Sequence, residues 1–305
     1  MKLIVQPDAG VAPVVAAMKS AKKSIDVMLF RMDRDEVTRA LEAAVVRGVA
    51  VRALIAHTNR GGERGLRKLE LRLLASGVTV SRTADDLVRY HGKMMIVDSK
   101  VVHVYGFNLT ALDIRKSRSF GVSSGNKQLV QEALKVFEAD WARQPYTPGC
   151  GRFVVSPENA RERLTAFIKG ARKQLLIYDP KISDPAILRL LVERHKAGIE
   201  VKIIGKVGGK KTDLTSEKYP GKRLHVRAII RDGRRAFVGS QSLRRLELEK
   251  RREVGVVIHD EKVVRQMQAV FDQDWAETDS GRKEAKKAEK AENEVSKSGS
   301  REARA

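Results

Sequence analysis

Residues 91–98 read HGKMMIVD, a histidine and a lysine two places apart at the head of an apolar run that ends in aspartate. Alternate positions of a strand share one face, so His91 and Lys93 would stand side by side. An imidazole and an ammonium buried together lose solvation unless an anion meets them, and the anion on which such groups do chemistry is phosphate. A second octet, HVRAIIRD from His225 to Asp232, repeats the arrangement 134 residues later. Two histidines facing one phosphodiester can carry a two-step displacement. One imidazole attacks phosphorus; the other protonates the leaving alcohol and then activates the second nucleophile. Lys93 and Arg227 would hold the non-bridging oxygens, where transition-state charge gathers. Asn108 in the first half, and Ser240 and Ser242 in the second, supply short amide and hydroxyl donors at matching distances. The scheme calls for no metal and no cofactor, and no Cys/His cluster has zinc spacing.

Elements that bring two such strands together are legible in the same repetition. FEADWA at 137–142 recurs as FDQDWA at 271–276, and Asp98 and Gly121 meet Asp232 and Gly255 at the same offset of 134. Earlier in each half the offset is 150: AKKSIDVMLF at 21–30 matches ARKQLLIYDP at 171–180, and RGVAVRALI at 47–55 matches AGIEVKIIG at 197–205. The first half therefore carries an insertion, read as a basic loop and helix from His57 to Ala75. Each half has one grammar. An amphipathic helix (11–21; 159–171) leads into an apolar strand (24–30; 174–178), and an Ala/Leu-rich helix follows, closed by Gly48 or Gly198. A β-branched strand comes next, then the His strand, a strand ending in glycine and a last helix ending at the Trp. Alternating helices and strands predict a layered α/β fold. Two like halves make an internal pseudo-twofold dimer, with the site on its axis.

The expected divisions are an N-terminal domain at 1–148, a C-terminal domain at 149–279 and a charged tail at 280–305. The linker is QPYTPGCG, rich in proline and glycine. The tail is Lys/Glu/Ala/Ser-rich and is expected to be disordered or a solvated helix. A formal charge of +22 over 305 residues favours a polyanionic partner, an anionic phospholipid surface or nucleic acid. Aromatic residues are only 5%, few for a dedicated single-strand binder. One cysteine, Cys150, makes no intrachain disulfide. MKLIVQPDAG lacks the pattern of a signal peptide, and no apolar run approaches a membrane span. The expectation is a cytoplasmic monomer, peripheral to a membrane. His57, His103, His195 and His259 have no repeated partner and are expected at the surface or satisfied in the core.

The pattern H-x-K-x4-D, followed by G-S-x-N, resembles the signature of the phospholipase D superfamily, which includes cardiolipin synthases and some nucleases. The sequence resembles it twice, with HGKMMIVD…YGFN and HVRAIIRD…VGSQS, and the resemblance covers about residues 1 to 276. It implies two α/β/α sandwich domains packed as an internal dimer, with one site between them working through a phosphohistidine. It implies His91 as nucleophile and His225 as acid and base, exchangeable in principle, His91 being preferred because its motif is intact with Lys93. Asp98 and Asp232 would be the motif aspartates, supporting the strand more than touching substrate. Glu253, in RREVGVV, matches the acid that orients a histidine. The chain departs from the pattern at Tyr105 and Gly106, at Ser119 where an acid is expected, at Arg227 for Lys and at Ser242 for Asn. Arg for Lys keeps charge but exchanges a compact ammonium for a planar fork. The function implied is a metal-independent phosphodiesterase acting on a phospholipid headgroup ester. The alternatives are a nuclease with the same site, and a weakened member that binds anionic ligands.

Overall fold

The computed structural model describes residues 1–58, 63–209 and 212–302. The first half runs β1 (Lys2–Gln6), α1 (Ala12–Ser20), β2 (Ser24–Leu29), α2 (Asp35–Val46), β3 (Ala50–Ile55), α3 (Glu63–Ala75), β4 (Thr79–Arg82), β5 (Arg89–Tyr90), β6 (Met94–Val97), β7 (Val101–Tyr105), α4 (Ala111–Lys116), β8 (Ser119–Ser124) and α5 (Lys127–Ala142). The second runs β9 (Phe153–Ser156), α6 (Ala160–Lys169), β10 (Gln174–Ile182), α7 (Pro185–Lys196), β11 (Glu200–Val207), β12 (Thr215–Glu217), β13 (Ala228–Arg231), β14 (Arg235–Gly239), α8 (Arg245–Glu249), β15 (Arg251–Ile258) and α9 (Glu261–Ala276), followed by α10 (Asp279–Glu302). The inserted helix of the first half is α3; residues 59–62 of the basic loop before it lie outside the described residues.

Each half builds the same sheet. The order is β1-β8-β7-β6-β2-β3-β4 in the first and, with β9 pairing β15, β9-β15-β14-β13-β10-β11-β12 in the second. The central strands β2 and β10 pair parallel with β3 and β11 and antiparallel with the two His strands, β6 and β13. Buried on both faces, they read as nearly unbroken apolar runs. The turns that close α2 and α7 carry Gly48 and Gly198 at φ of 81° and 82°, the left-handed conformation that glycine enters without a Cβ clash.

Three apolar clusters give the layers. One packs α1, α2 and α3 on the outer face of the first sheet, through Val14, Met18, Leu41, Leu66 and Leu73. Another packs α6 and α7 on the outer face of the second, through Leu164, Ile168, Ile187 and Leu191. The third is common to both halves and holds the inner faces with α5 and α9. This is the expected pair of α/β/α sandwiches, back to back.

The repeated F-x-x-D-W segments explain themselves here. Phe137 stacks on Trp141, and Phe271 on Trp275. The aspartate between them crosses to the other half: Asp140 of α5 pairs with Arg252 of β15 at 3.0 Å, and Asp274 of α9 pairs with Arg118, just before β8, at 2.9 Å. Beyond α9 the described chain continues as α10, from Asp279 to Glu302. Its first turns are held where Glu284 meets Lys202 and Trp275 and where Ser280 meets Glu217.

Candidate active site

The two histidines sit at the heads of β6 and β13, each locked across the pseudo-twofold axis by a backbone hydrogen bond. His91 N–H donates to Arg252 O at 2.7 Å, and His225 N–H donates to Arg118 O at 3.0 Å. The short β5 thus lies parallel on β15 of the other half, and Leu224 mirrors this against Arg118. Each half reaches over the boundary with the segment that carries its histidine. Both imidazoles line one cavity of about 290 Å3, together with Phe30, Arg31, Arg89, Asn108, Asp113 and Arg223.

Asp98 and Asp232 stand at the far ends of their strands, away from this cavity. Both occupy the left-handed region, at φ of 53° and 55°. The Asp98 carboxylate accepts the backbone N–H groups of Lys22, Lys23 and Ser24 at 2.6 to 3.0 Å. Asp232 accepts those of Arg172, Lys173 and Gln174 at 2.7 to 3.1 Å. The repeated AKKS and ARKQ are the far sides of these clamps, which fix each His strand against the central strand. These aspartates hold the strands and have no contact with the reacting groups.

Around His91 the expected partners assemble. Its Nδ1 lies 2.7 Å from Glu253 Oε2, a fully buried carboxylate supplied by the other half. Lys93 Nζ lies 3.0 and 3.1 Å from the two ring nitrogens, and Phe30 meets the ring edge-on at 4.4 Å. Burial, then Lys93, Arg227, Arg251 and Arg89, hold His91 well below the usual imidazole value. Burial also brings Lys93 down to about 7, with Arg227 pushing the same way against Glu253.

Around His225 the arrangement differs. Ser119, at the position matching Glu253, gives its hydroxyl to the His225 carbonyl at 3.0 Å and offers the ring nothing. The carboxylate comes instead from Asp113 on α4, whose Oδ2 is 3.3 Å from His225 Nδ1. That is ion-pair reach without hydrogen-bond alignment, and Nδ1 has no hydrogen-bond partner among the described residues. Local sequence explains why Asp113 is there. Thr110 caps α4 by accepting the Asp113 N–H, in the T-x-x-D order of a capping box. The Asp113 carboxylate then turns back to accept from Asn108 N and Nδ2, both at 2.7 Å, and from Arg223. Asp113 was not among the residues expected from the sequence. The signal was present: at the offset of 134, Asp113 meets Glu247, acid for acid on the matching short helices α4 and α8. Glu247 itself is taken up by Arg244 and Arg251.

Arg227 is buried, its Nε donating to Ser242 Oγ at 3.2 Å and Nη1 to the His225 carbonyl at 3.3 Å. Ser240 braces β15 instead, exchanging hydrogen bonds with the backbone of Val254 at 3.2 and 3.3 Å. Asn108 Oδ1 is buried without a partner among the described residues. Burial, then Arg227, Arg223 and Lys93, hold His225 well below its ordinary value too. The cavity therefore combines two neutral imidazoles with several fixed cations. It is prepared for an anion, which restores the charge balance and favours a proton on one ring.

The chain matches the family described as "Cardiolipin synthase, PLD-like domain" over residues 14–141 and 164–275. Envelope phospholipases of monkeypox virus and of vaccinia virus (strain Western Reserve) are each 29% identical over 143 residues, covering 42% of this chain and 38% of theirs. The chain thus spans well under half the length of these curated relatives. Among solved structures, a polyphosphate kinase from Porphyromonas gingivalis superposes with a TM-score of 0.73 at 18% identity, over 89% of this chain and 49% of that one. The phosphatidylserine synthase of Haemophilus influenzae Rd KW20 gives 0.66 at 12% identity, over 90% and 85%. At such identities the likeness speaks for the fold.

Proposed function

The chain belongs to the cardiolipin synthase, phospholipase D-like family, and from that premise we propose that it cleaves a phospholipid headgroup ester, by hydrolysis or by transfer to an alcohol, through a phosphohistidine. One observation carries the reading: two histidines share a single cavity, each beside a carboxylate from the opposite half. With Nδ1–H donated to Glu253, the His91 Nε2 lone pair attacks phosphorus while the phosphorus–oxygen bond to the leaving alcohol breaks. His225 gives its proton to that alkoxide. Water or an alcohol then loses its proton to His225 and attacks, and the phosphorus–nitrogen bond breaks. Lys93 and Arg227 hold the non-bridging oxygens, and Asn108 and Ser242 complete the cradle. Glu253 fixes the His91 tautomer, and the Asp113 carboxylate beside His225 stabilises that ring when it is protonated.

Lipid is favoured over nucleic acid by the rim. Leu112, 49% exposed, lines the cavity, and Val88, 56% exposed, is next but one to His91's neighbour Tyr90 in the chain, beside Arg89. Apolar side chains among arginines suit the boundary between acyl chain and anionic headgroup. The relatives named as envelope phospholipases agree. No helix among the described residues is long and apolar enough to cross a membrane, so we place the enzyme peripherally, on the cytoplasmic side of an anionic surface, as a monomer. The division at 148/149 follows as two units of one site. The charge of +22 favours a second reading, a nuclease with the same chemistry.

The test is to incubate purified protein, with chelator present, with phosphatidylglycerol and phosphatidylcholine vesicles and with single- and double-stranded DNA. Headgroup release is expected, with DNA cut slowly or not at all. Efficient DNA cleavage without headgroup release would replace this reading by the second. Inertness to both, with both bound, would mean that the altered cradle at Tyr105, Gly106 and Ser119 has cost the chemistry.

A further inference from the structure

The fold builds a second groove twice, and the two copies differ in charge. In each half it lies at the end of the His strand opposite the histidine, between the first helix, the turn joining the next two strands and the end of the following strand. In the first half it is a largely apolar cavity of about 720 Å3, whose lining includes Pro13, Ala17, Val97, Val101 and Gly125. In the second it is a cavity of about 640 Å3, walled also by α5 of the first half and the segment 149–151, in which Arg163, Phe167, Arg231, Arg235 and His259 stand at the matching positions. Arg152 joins them, where the first half has Lys2. The first copy is an internal control: the scaffold closes this groove from valine, proline and alanine, so packing does not require the arginines.

Nor, among the described residues, do carboxylates neutralise them. Glu132, the acid lining this groove, accepts from Tyr146 Oη and Gly149 N. Asp232 is spent on three backbone N–H groups, and Asp260 on the amino group of Met1. Glu162 reaches Arg163 only at 3.8 Å, with both side chains exposed. By contrast, the buried Arg252 is paired with both Asp140 and Glu158. The cations also crowd each other: burial, then Arg235, Arg152 and Arg231, hold His259 below its ordinary value. Arg231 is held in place by the Phe167 carbonyl at 3.0 Å and lies 4.7 Å over the Phe167 ring.

We propose that this groove is a second ligand site, distinct from the catalytic cavity, that binds an anion carrying two or more phosphate groups. Guanidinium forks match phosphate oxygens bidentately, and several forks around one groove suit more than one phosphate. The groove gives a nucleobase no open ring to stack on, because Phe167 is buried beneath Arg231. The ligand is therefore recognised by its phosphates, whether free in solution or on a lipid headgroup.

The experiment is calorimetric titration of the full chain with inorganic tripolyphosphate, alongside Arg152→Gln/Arg235→Gln. Arg235 is exposed, and Arg152 is half-buried with its Nη2 donating to Asn126 Oδ1 at 3.0 Å, a bond the Gln amide can still donate, so the variant should melt within a few degrees of the unsubstituted protein and release headgroup as it does. It should lose one binding site, or bind there about tenfold or more weakly. The readout is the difference between the two proteins, so it stands whether or not the catalytic cavity also takes the probe. Unchanged titrations would overturn the proposal. Vesicles of phosphatidylcholine with phosphatidylinositol bisphosphate separate the sources: recruitment lost in the variant assigns a lipid headgroup, and tripolyphosphate binding without recruitment assigns a soluble ligand. Duplex DNA held through these arginines and not displaced by tripolyphosphate would overturn the assignment to a small anion.

Discussion

The two histidines of the site are copies of one design, yet their surroundings have parted. His91 has a strand-borne glutamate at 2.7 Å, a lysine against its ring and an aromatic edge. His225 has a helix-borne aspartate at 3.3 Å, shared with Asn108 and Arg223, and a permanently charged arginine in place of the lysine. A carboxylate aligned with Nδ1 leaves Nε2 as a directed lone pair, which is what a nucleophile needs. A looser carboxylate suits a ring that must take and give a proton during the cycle. The asymmetry thus supports the proposed division, His91 for attack and His225 for proton transfer, with Asp113 proposed to stand in for the acid absent at Ser119.

The harshest test of this division removes the rings. His91→Ala and His225→Ala should each lower headgroup release by roughly ten-thousandfold or more, since neither ring performs both tasks. The double variant should be hardly worse than either single one, because the two act as a unit. Trapped phosphoprotein should vanish in His91→Ala. Its persistence there would exchange the roles.

Next come the carboxylates. Glu253→Gln should cost about a hundredfold or more and Asp113→Asn about ten- to a hundredfold, with the loss in kcat rather than KM. If Asp113 has replaced the acid missing at Ser119, then Ser119→Glu placed in Asp113→Asn should recover activity and return the pH profile toward that of the unsubstituted enzyme. Asp113→Asn without effect would leave His225 unassisted and dissolve the proposed compensation.

How much of this could be read from the chain alone follows from where each signal sits. Both histidines, Lys93 and Arg227 could be proposed from the chain because they fall in a repeated register on strands, where spacing fixes the face; Glu253 came only from the family resemblance, since the repeat puts Ser119 at its position. The layered α/β fold and its doubling were legible for the same reason, and the α/β/α sandwich came with the family resemblance. Asp113 was missed because it reaches His225 from a helix rather than from the strand position where the acid belongs, and one-dimensional alignment looks only at that position. Ser240 was read as a phosphate donor, whereas its hydroxyl braces β15 at Val254. The meaning of F-x-x-D-W was hidden too, since its aspartates act on the opposite half.

Those crossing pairs yield a prediction of stability. Asp140 and Arg252 are both buried, so Asp140→Asn leaves a buried guanidinium short of a partner and should cost about 3 to 5 kcal/mol. Glu158, also on Arg252, keeps the cost toward the lower figure. Residues 1–148 alone should be inactive, and mixing with 149–279 should restore turnover; a monomeric half with activity would refute the shared site. Denaturant titration of Asp140→Asn that matched the parent would remove these pairs from the account of how the halves are held.

The lysine–arginine difference should be visible in pH. Lys93 has its value lowered to about 7, so its ammonium is complete below that pH and is lost as pH rises through it. Arg227 stays charged throughout this range. His225, held below the ordinary imidazole value, must carry a proton to act as acid, so kcat/KM should already be falling with rising pH before Lys93 titrates. Loss of Lys93 charge adds a second, steeper fall above about pH 7. In Lys93→Arg that second break should disappear while the first remains. A break that persists would mean that a group other than Lys93 titrates there.

The smallest effect should come from the rim, where the halves are again matched but unequal. Leu112 on α4 and Leu246 on α8 are equivalent at the offset of 134, with exposures of 49% and 36%. Only Leu112 lines the cavity. Full burial of a leucine is worth about 1.5 to 3 kcal/mol, and a side chain already half covered can gain roughly half of that on meeting acyl chains. Leu112→Glu should therefore reduce turnover of anionic vesicles about threefold to tenfold, as a higher apparent KM with kcat kept. Leu246→Glu should do less, since a charge there meets the membrane without obstructing the cavity mouth. Neither change should alter turnover of a short-chain, monomerically dispersed phospholipid, because that substrate presents no surface. Equal losses on dispersed substrate would place Leu112 against the headgroup itself, and equal losses on DNA would favour a polyanion path across the rim.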